Sequence, residues 1–591
     1  MSSSPDALSL SAAGKSLGIV PRVWHPWSVT ERCALLLMLS IVTFAAVPRL
    51  PTGICHADSG GVQLAAATLG ITHPPGYAGY VTLWYLLTRV FGGDPAYVVA
   101  VSCLVAGLGV LTLLTMFQVR LGVNIWMACA VGLLFTAHPR VWSNFLAPEI
   151  YMLSLLFVIS AAYMLLRYSQ LGRRGDLFLA AFLYGVAIAN RLPYILLLPV
   201  ILSAWWIARR RWESGFAAGA RAIALCVLLA VIPVVYNFAY LWILDTPRTS
   251  YNYLEHFNAD TRLLPQSTEG AAAKLRRVLW HQSGEQFRDL LIWHPRNDVA
   301  ENTWSFKLRQ MQAKTRWIFQ DTLPDSTMSL GMLWIFLAVA ASAVRRRARA
   351  ISLTLTAMAL VGATLFGAAH LVPAMADSPL AYYLIASKWL VDLLLIVILI
   401  AALLVTTARH SVAGLLLIGL ASGAIVYVCI YRVHGLAADM LPLQFVVAVI
   451  IGVILSTVFP LQCSRRRNTA AVAIMLLLVA VTLVNAPTRR SLGRDEDAAE
   501  FLAGVDLPTL PADAVICTTW GMATPLWYAA LVQTPRPDIR IVNAPLSEWR
   551  RLTTDLMHRP MYVTDDLAGT TFWPGTEWRK ERNLWRLEAS P

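Results

Sequence analysis

The chain has 591 residues, 57% of them hydrophobic and 14% charged, with a mean hydropathy of +0.59 and a formal net charge of +14. So much apolar surface has no use in a soluble chain of this size, so the class is a polytopic membrane protein. The positive excess lies mostly in short arginine clusters between apolar runs, where it sets topology and argues against nucleic acid as a partner.

Residues 1–30 are polar, carry Lys15 and Arg22, and lack a signal-peptide pattern, so the first apolar run reads as a retained anchor. Windows of about twenty residues predict spans near 31–47, 95–117, 123–138, 147–166, 177–190, 192–207 and 221–243. Further spans follow near 328–344, 350–372, 384–406, 412–431, 438–459 and 469–486, about thirteen in all. The pair 177–190 and 192–207 is short and broken at Asn190-Arg191-Leu192-Pro193. Arginine clusters at 167–174, 209–221, 345–349 and 465–467 fall in alternate loops. That alternation predicts a cytoplasmic N-terminus, an outer loop at 48–94 and an outer C-terminus.

Within the first outer loop, Asp58-Ser59-Gly60-Gly61 is followed by His73-Pro74-Pro75-Gly76-Tyr77, a carboxylate near flexible residues and then a stiff turn. Tyr80 to Phe91 is aromatic and apolar enough to lie along a membrane surface. The long outer loop 244–327 carries two helical patterns, Ala271 to Ile292 and Trp304 to Phe319. In the first, Leu275, Val278, Leu279, Phe287, Leu290 and Leu291 alternate with basic and amide residues. From about Ala486 the composition turns soluble. Strands are predicted at 514–518, 539–542 and 561–564 and helices at 495–504 and 546–557, giving a small α/β domain over 487–591. Cys55 and Cys517 both fall in predicted outer segments, where a disulfide between them is an open possibility.

The Asp-Ser-Gly stretch with its following Leu69-Gly70-Ile71 and His-Pro-Pro-Gly-Tyr run resembles the first outer loop of one membrane family. That family, formerly catalogued as a domain of unknown function, is related to protein O-mannosyltransferases within the GT-C superfamily. The resemblance continues through Trp142-Ser143, Ala147-Pro148-Glu149-Ile150-Tyr151, and Trp280 to Arg288. It returns at Pro525-Leu526-Trp527-Tyr528 and at Arg536 to Asn543. It implies a mostly α transmembrane bundle of GT-C type over 31–486. The activity it implies is glycosyl transfer from a polyprenyl-phosphate sugar to a protein, glycan or lipid acceptor at the outer face of a bacterial inner or plasma membrane. Two positions depart from the family pattern: Gly61 stands where a Glu is common, and Asn190-Arg191 where a His often appears.

Such a transfer needs a general base and groups that stabilise a departing phosphate. Asp58 is the expected base, the alternative being a cap on a helix beginning at Ser59. Glu149, at the outer end of a span, is expected to orient the acceptor, bind a divalent metal or hold the Asp58 loop, against a solvated interface position or an ion pair with Arg140. His73, Tyr77, His281 and Gln286 are candidate substrate contacts, and Arg191 and Arg288 candidate phosphate ligands. A flippase, transporter or ligase for lipid-linked glycans is the competing reading. A transporter predicts broken helices, midplane charges and repeated halves.

Overall fold

The computed structural model describes residues 27–212, 216–290, 410–430, 436–458, 496–543, 558–568 and 577–589, with residues 307 and 556. The spans expected near 328–344, 350–372, 384–406 and 469–486, and the helices expected at 304–319 and 546–557, lie outside the described residues. The protein is mostly α-helical. Among the described residues six helices are long and apolar enough to cross a membrane, and two shorter apolar helices accompany them.

Helix α1 (Val29–Ala46) opens on a reciprocal cap: the Ser28 hydroxyl accepts from the Glu31 amide at 3.2 Å, and the Glu31 carboxylate accepts from the Ser28 amide at 2.9 Å. Two shorter helices follow, α2 (Ala57–Thr68) and α3 (Ala78–Phe91). In α3, Tyr80, Val81 and Trp84 are buried while Leu83, Leu86, Val90 and Phe91 are exposed, leaving one apolar face open. Asp94 then caps α4 (Pro95–Arg120), with Pro95 at the first helical position, where its missing N–H costs nothing.

Helices α5 (Ile125–Ala137) and α6 (Pro139–Leu146) divide at His138, so the run expected at 123–138 becomes a 13-residue helix, short for a full crossing. Helix α7 (Ile150–Leu171) ends on Gly172 in the left-handed region, and α8 (Arg174–Asn190) packs along it. The break expected at residue 191 is present. Pro193 sits in a tight 3-10 stretch, Leu192–Leu197, before α9 (Leu198–Trp212), and α10 (Phe216–Leu244) returns against α8. Gly185 permits that return, because a Cβ there would lie 2.2 Å from the Ala230 carbonyl oxygen.

Two helices of the long loop are described, α11 (Tyr253–Thr261) and α12 (Ala271–Ser283). The second is shorter than the expected 271–292, because Gly284 turns left-handed and the chain continues as a 3-10 stretch, Glu285–Leu290. Its face pattern also differs from the leucine periodicity. Arg277, Val278 and His281 are buried, whereas Leu275 and Leu279 are exposed. Arg277 is drawn inward by a bidentate pair with Asp245 (2.7 Å twice) and by Glu255 (2.8 Å), which satisfy its guanidinium.

Helices α13 (Ser411–Ile430) and α14 (Leu441–Val458) pack against each other. Beyond them come α15 (Glu496–Val505), β1 (Val515–Cys517), α16 (Trp520–Tyr528), β2 (Arg540–Val542), β3 (Met561–Thr564), β4 (Glu577–Glu581) and β5 (Leu584–Ala589). The sheet runs β2-β1-β3-β5-β4, with β1 parallel to both neighbours and the last two strands antiparallel. Ala514, Ile516, Ala523, Leu526 and Trp527 belong to the same buried cluster as the apolar helices, so this tail shares their core. Cys55 and Cys517 are both thiols, which corrects the open possibility of a bridge between them.

Candidate functional site

The site forms where three segments distant in sequence meet: α2 with the turn after it, the long loop, and α16. Helix α2 begins at Ala57, held in the left-handed region (φ 52°), with His56 as its N-cap residue. Asp58 therefore lies in the first turn rather than at the cap, and the capping alternative is not what is seen. Its Oδ1 accepts a hydrogen bond from the Trp520 indole N–H at 2.7 Å, and His73 Nε2 lies 4.0 Å away. More than half of the Asp58 side chain, 56%, stays open to solvent.

His73 is buried between the Thr72 hydroxyl at Nδ1 (3.2 Å) and the Tyr77 hydroxyl at Nε2 (3.3 Å). The Tyr77 hydroxyl also donates to the Pro74 carbonyl at 3.2 Å. Burial, reinforced by the Asp58 charge and opposed by Arg191, pushes the Tyr77 hydroxyl well above its ordinary range. Tyr77 is thus a neutral donor.

The long loop is stitched to this turn. Ile71 and Asn252 form a parallel bridge, and His281 lies against the Thr72 carbonyl through Nε2 at 2.8 Å. Because the carbonyl only accepts, His281 carries its proton on Nε2. Desolvation lowers its pKa to about 4, so the ring is neutral at physiological pH. Gly76, at φ 91°, lets the ring approach; a Cβ there would sit 2.9 Å from His281 Cε1. Gln286 accepts from the Tyr253 hydroxyl at 2.7 Å, and Tyr253 meets the Trp520 ring edge-on at 5.7 Å. Of Arg288 the structure gives the backbone, within the 3-10 stretch Glu285–Leu290.

Glu149 is placed beside α2 by a bond from the Ser59 hydroxyl at 2.8 Å, so it reaches the residue next to Asp58. Arg191 lies apart from Asp58, stacked over Tyr151 at 4.7 Å and ion-paired with Asp439. An open cleft of about 340 Å³ lies over this pair, lined also by Tyr194, Leu197, Leu420 and Tyr427. Among the described residues no three His, Cys, Asp or Glu side chains converge as a metal would require. A divalent metal, one of the partners open to Glu149, has no preassembled ligand set among these residues.

Sequence reasoning missed Trp520, Tyr253 and Asp439. Asp439 had a signal, a lone carboxylate at the edge of an apolar run. Trp520 had none, for it meets Asp58 across 462 positions.

Residues 58–215 match the family model described as the protein O-mannosyl-transferase TMEM260 N-terminal domain. The chain is 23% identical over 254 residues to protein O-mannosyl-transferase tmem260 of Dictyostelium discoideum, covering 39% of this chain and 30% of that protein. It is 27% identical over 237 residues to protein O-mannosyl-transferase TMEM260 of Mus musculus, covering 37% and 33%. The chain thus spans about a third of the length of these relatives. Among solved structures it is similar to ArnT from Cupriavidus metallidurans bound to undecaprenyl phosphate, with 13% identity, TM-score 0.38 and coverage of 95% of this chain and 99% of that one. It is also similar to the S. cerevisiae protein O-mannosyltransferase Pmt1-Pmt2 complex bound to the sugar donor, with 13% identity, TM-score 0.31 and coverage of 39% and 35%. Residues 58–215, which hold Asp58, His73, Tyr77, Glu149 and Arg191, are thus similar to the N-terminal domain of the protein O-mannosyl-transferase TMEM260.

Proposed function

We propose that this protein is an integral-membrane glycosyltransferase that moves a sugar from a polyprenyl-phosphate donor to an acceptor hydroxyl, with Asp58 as general base. The observation that carries this reading is the Asp58 constellation itself. A half-open carboxylate is held by a fixed N–H donor beside a buried His–Tyr pair, inside the segment shared with relatives named as O-mannosyl-transferases.

The acceptor oxygen attacks the anomeric carbon and forms the new glycosidic bond. The bond from that carbon to the phosphate oxygen breaks, and the lipid phosphate leaves with the electron pair. The hydroxyl proton passes to Asp58. Trp520 occupies Oδ1, which directs the acceptor toward Oδ2 on the open side. Glu149, through Ser59, fixes the first turn of α2. Tyr77 and His73 shape the wall beside the carboxylate, and His281 and Gln286 hold the loop that covers it. Arg191 stabilises the departing phosphate once the anion displaces Asp439 from it; Arg288 is the second candidate for that task. The arginine clusters support a cytoplasmic N-terminus with the site and the tail at the outer face, where nucleotide sugars are scarce.

The donor class is tested by supplying membranes that contain the protein with radiolabelled polyprenyl-phosphate sugars or with the same sugars on nucleotides. Label should pass to acceptor from the lipid donor and not from the nucleotide. Transfer from the nucleotide sugar alone, or movement of labelled lipid across the bilayer without transfer, would sink the reading.

A further inference from the structure

The tail contributes a group to the site. Trp520 opens α16, and its backbone is fixed from the sheet side. Thr518, following β1, donates its amide to the Val542 carbonyl at 3.0 Å, and the Thr564 hydroxyl of β3 donates to the Thr518 hydroxyl at 2.9 Å. Thr519, the N-cap residue, bonds Asp566 through its hydroxyl. From the other side, His56 Nδ1 lies 3.1 Å from the Gly521 carbonyl. The indole is gripped by edge-on contacts with His73 (5.9 Å), Tyr253 (5.7 Å) and Trp527 (6.0 Å). Its N–H is thereby aimed at one carboxylate oxygen by two rigid elements, α2 and the β1–α16 junction.

Two glycines make this docking possible. A Cβ on Gly60 would lie 2.6 Å from the Thr524 hydroxyl oxygen and 2.2 Å from the Cys55 carbonyl oxygen. A Cβ on Gly61 would lie 3.2 Å from Trp520 Cζ2. A longer side chain at residue 61 would occupy the volume of the indole. The glycine at this position and the tryptophan 459 residues later therefore fit as a pair.

We infer that Trp520 is the positioning residue of the Asp58 base: its indole N–H fixes the carboxylate rotamer and reserves Oδ1, and Gly61 is the vacancy that admits it. The inference rests on the reading of Asp58 as base. The other groups facing Asp58 are His73 and the hydroxyls of Tyr77, Tyr151, Tyr251 and Tyr253, with Glu149 and Arg191 beyond them. None of these is altered by Trp520→Phe, which keeps an aromatic ring and loses the N–H.

The test uses the full-length protein in nanodiscs, labelled with 5-fluorotryptophan, together with transfer from a polyprenyl-phosphate sugar. The Trp520 fluorine resonance, assigned by its loss in Trp520→Phe, should move in Asp58→Asn, which changes the group that accepts its N–H. In Trp520→Phe, kcat should fall about tenfold, the order expected for one hydrogen bond to a charged group. Donor KM should stay within about twofold. Gly61→Glu should reproduce the loss and shift the Trp520 resonance. A native kcat in Trp520→Phe, with Asp58→Asn inactive, would overturn the role of Trp520 and leave the base in place. Full transfer by Asp58→Asn would overturn the base reading and this inference with it. A Trp520 resonance indifferent to Asp58→Asn would overturn the contact without any activity being measured.

Discussion

Asp58, His73 and Tyr77 are legible in the sequence because one loop of about twenty residues contains them all and local turn chemistry dictates much of their placement. Their partners are not, since Trp520, Tyr253 and His281 arrive from other segments and a single sequence carries no register between loops. Arg191 shows the same limit from the other side. Its charge at a helix break is plain, but its pairing with Asp439 depends on how α8 and the 436–440 turn meet. At this scale Gly60→Ala should cost roughly 1–3 kcal/mol, since its Cβ would meet a backbone carbonyl that has little room to move. Thermal unfolding in detergent, native against variant, checks this; an unchanged midpoint would contradict the close packing of α2 on α16. His281 is buried and His256 half-buried, and desolvation lowers both to about 4. The unfolded chain binds these protons near the ordinary pH of 6.5, so it takes up more protons than the fold between about 6.5 and 4. Stability should therefore be complete above that window and fall on acidification through it, by roughly 1.4 kcal/mol per pH unit for each histidine. Unfolding midpoints measured at stepped pH should show that slope, reduced in His281→Asn.

Among the elements, hydropathy placed the described apolar helices closely, because a helix that must be apolar over many turns leaves a long signal. Ends were less legible. Gly284 cut α12 short and His138 divided α5 from α6, each a single-residue event inside a continuous pattern. The β4–β5 hairpin went unseen because Glu577-Trp578-Arg579-Lys580-Glu581 is a mostly charged edge strand with no alternation to read. The inward face of α12 was also hidden, since Arg277 follows its carboxylate partners rather than the apolar period. Arg277→Ala would leave Asp245 buried with no guanidinium, at a cost of about 3–5 kcal/mol. Arg277→Lys should recover little, because an ammonium cannot make the fork. Hydrogen exchange over 244–290 should rise sharply in both variants; protection equal to the native chain would show that the pair does not hold the loop.

Across the whole molecule, the turn at 71–77, the loop at 251–286 and α16 converge on one carboxylate, so the tail completes the site rather than trailing from it. Arg540 and the Asn543 amide both bind Asp260 of the loop at 3.1 Å, a second tether on the same side. This convergence is the part least visible in composition, which marked the tail only as a change toward soluble residues. Asp58 is the carboxylate at the centre, and Asp58→Asn preserves its shape while removing its basicity. Membranes containing equal amounts of native and Asp58→Asn protein should be compared for transfer of label from a polyprenyl-phosphate sugar to acceptor. If Asp58 is the base, the native chain transfers label and the variant loses at least about a hundredfold. Equal transfer by both would contradict that role.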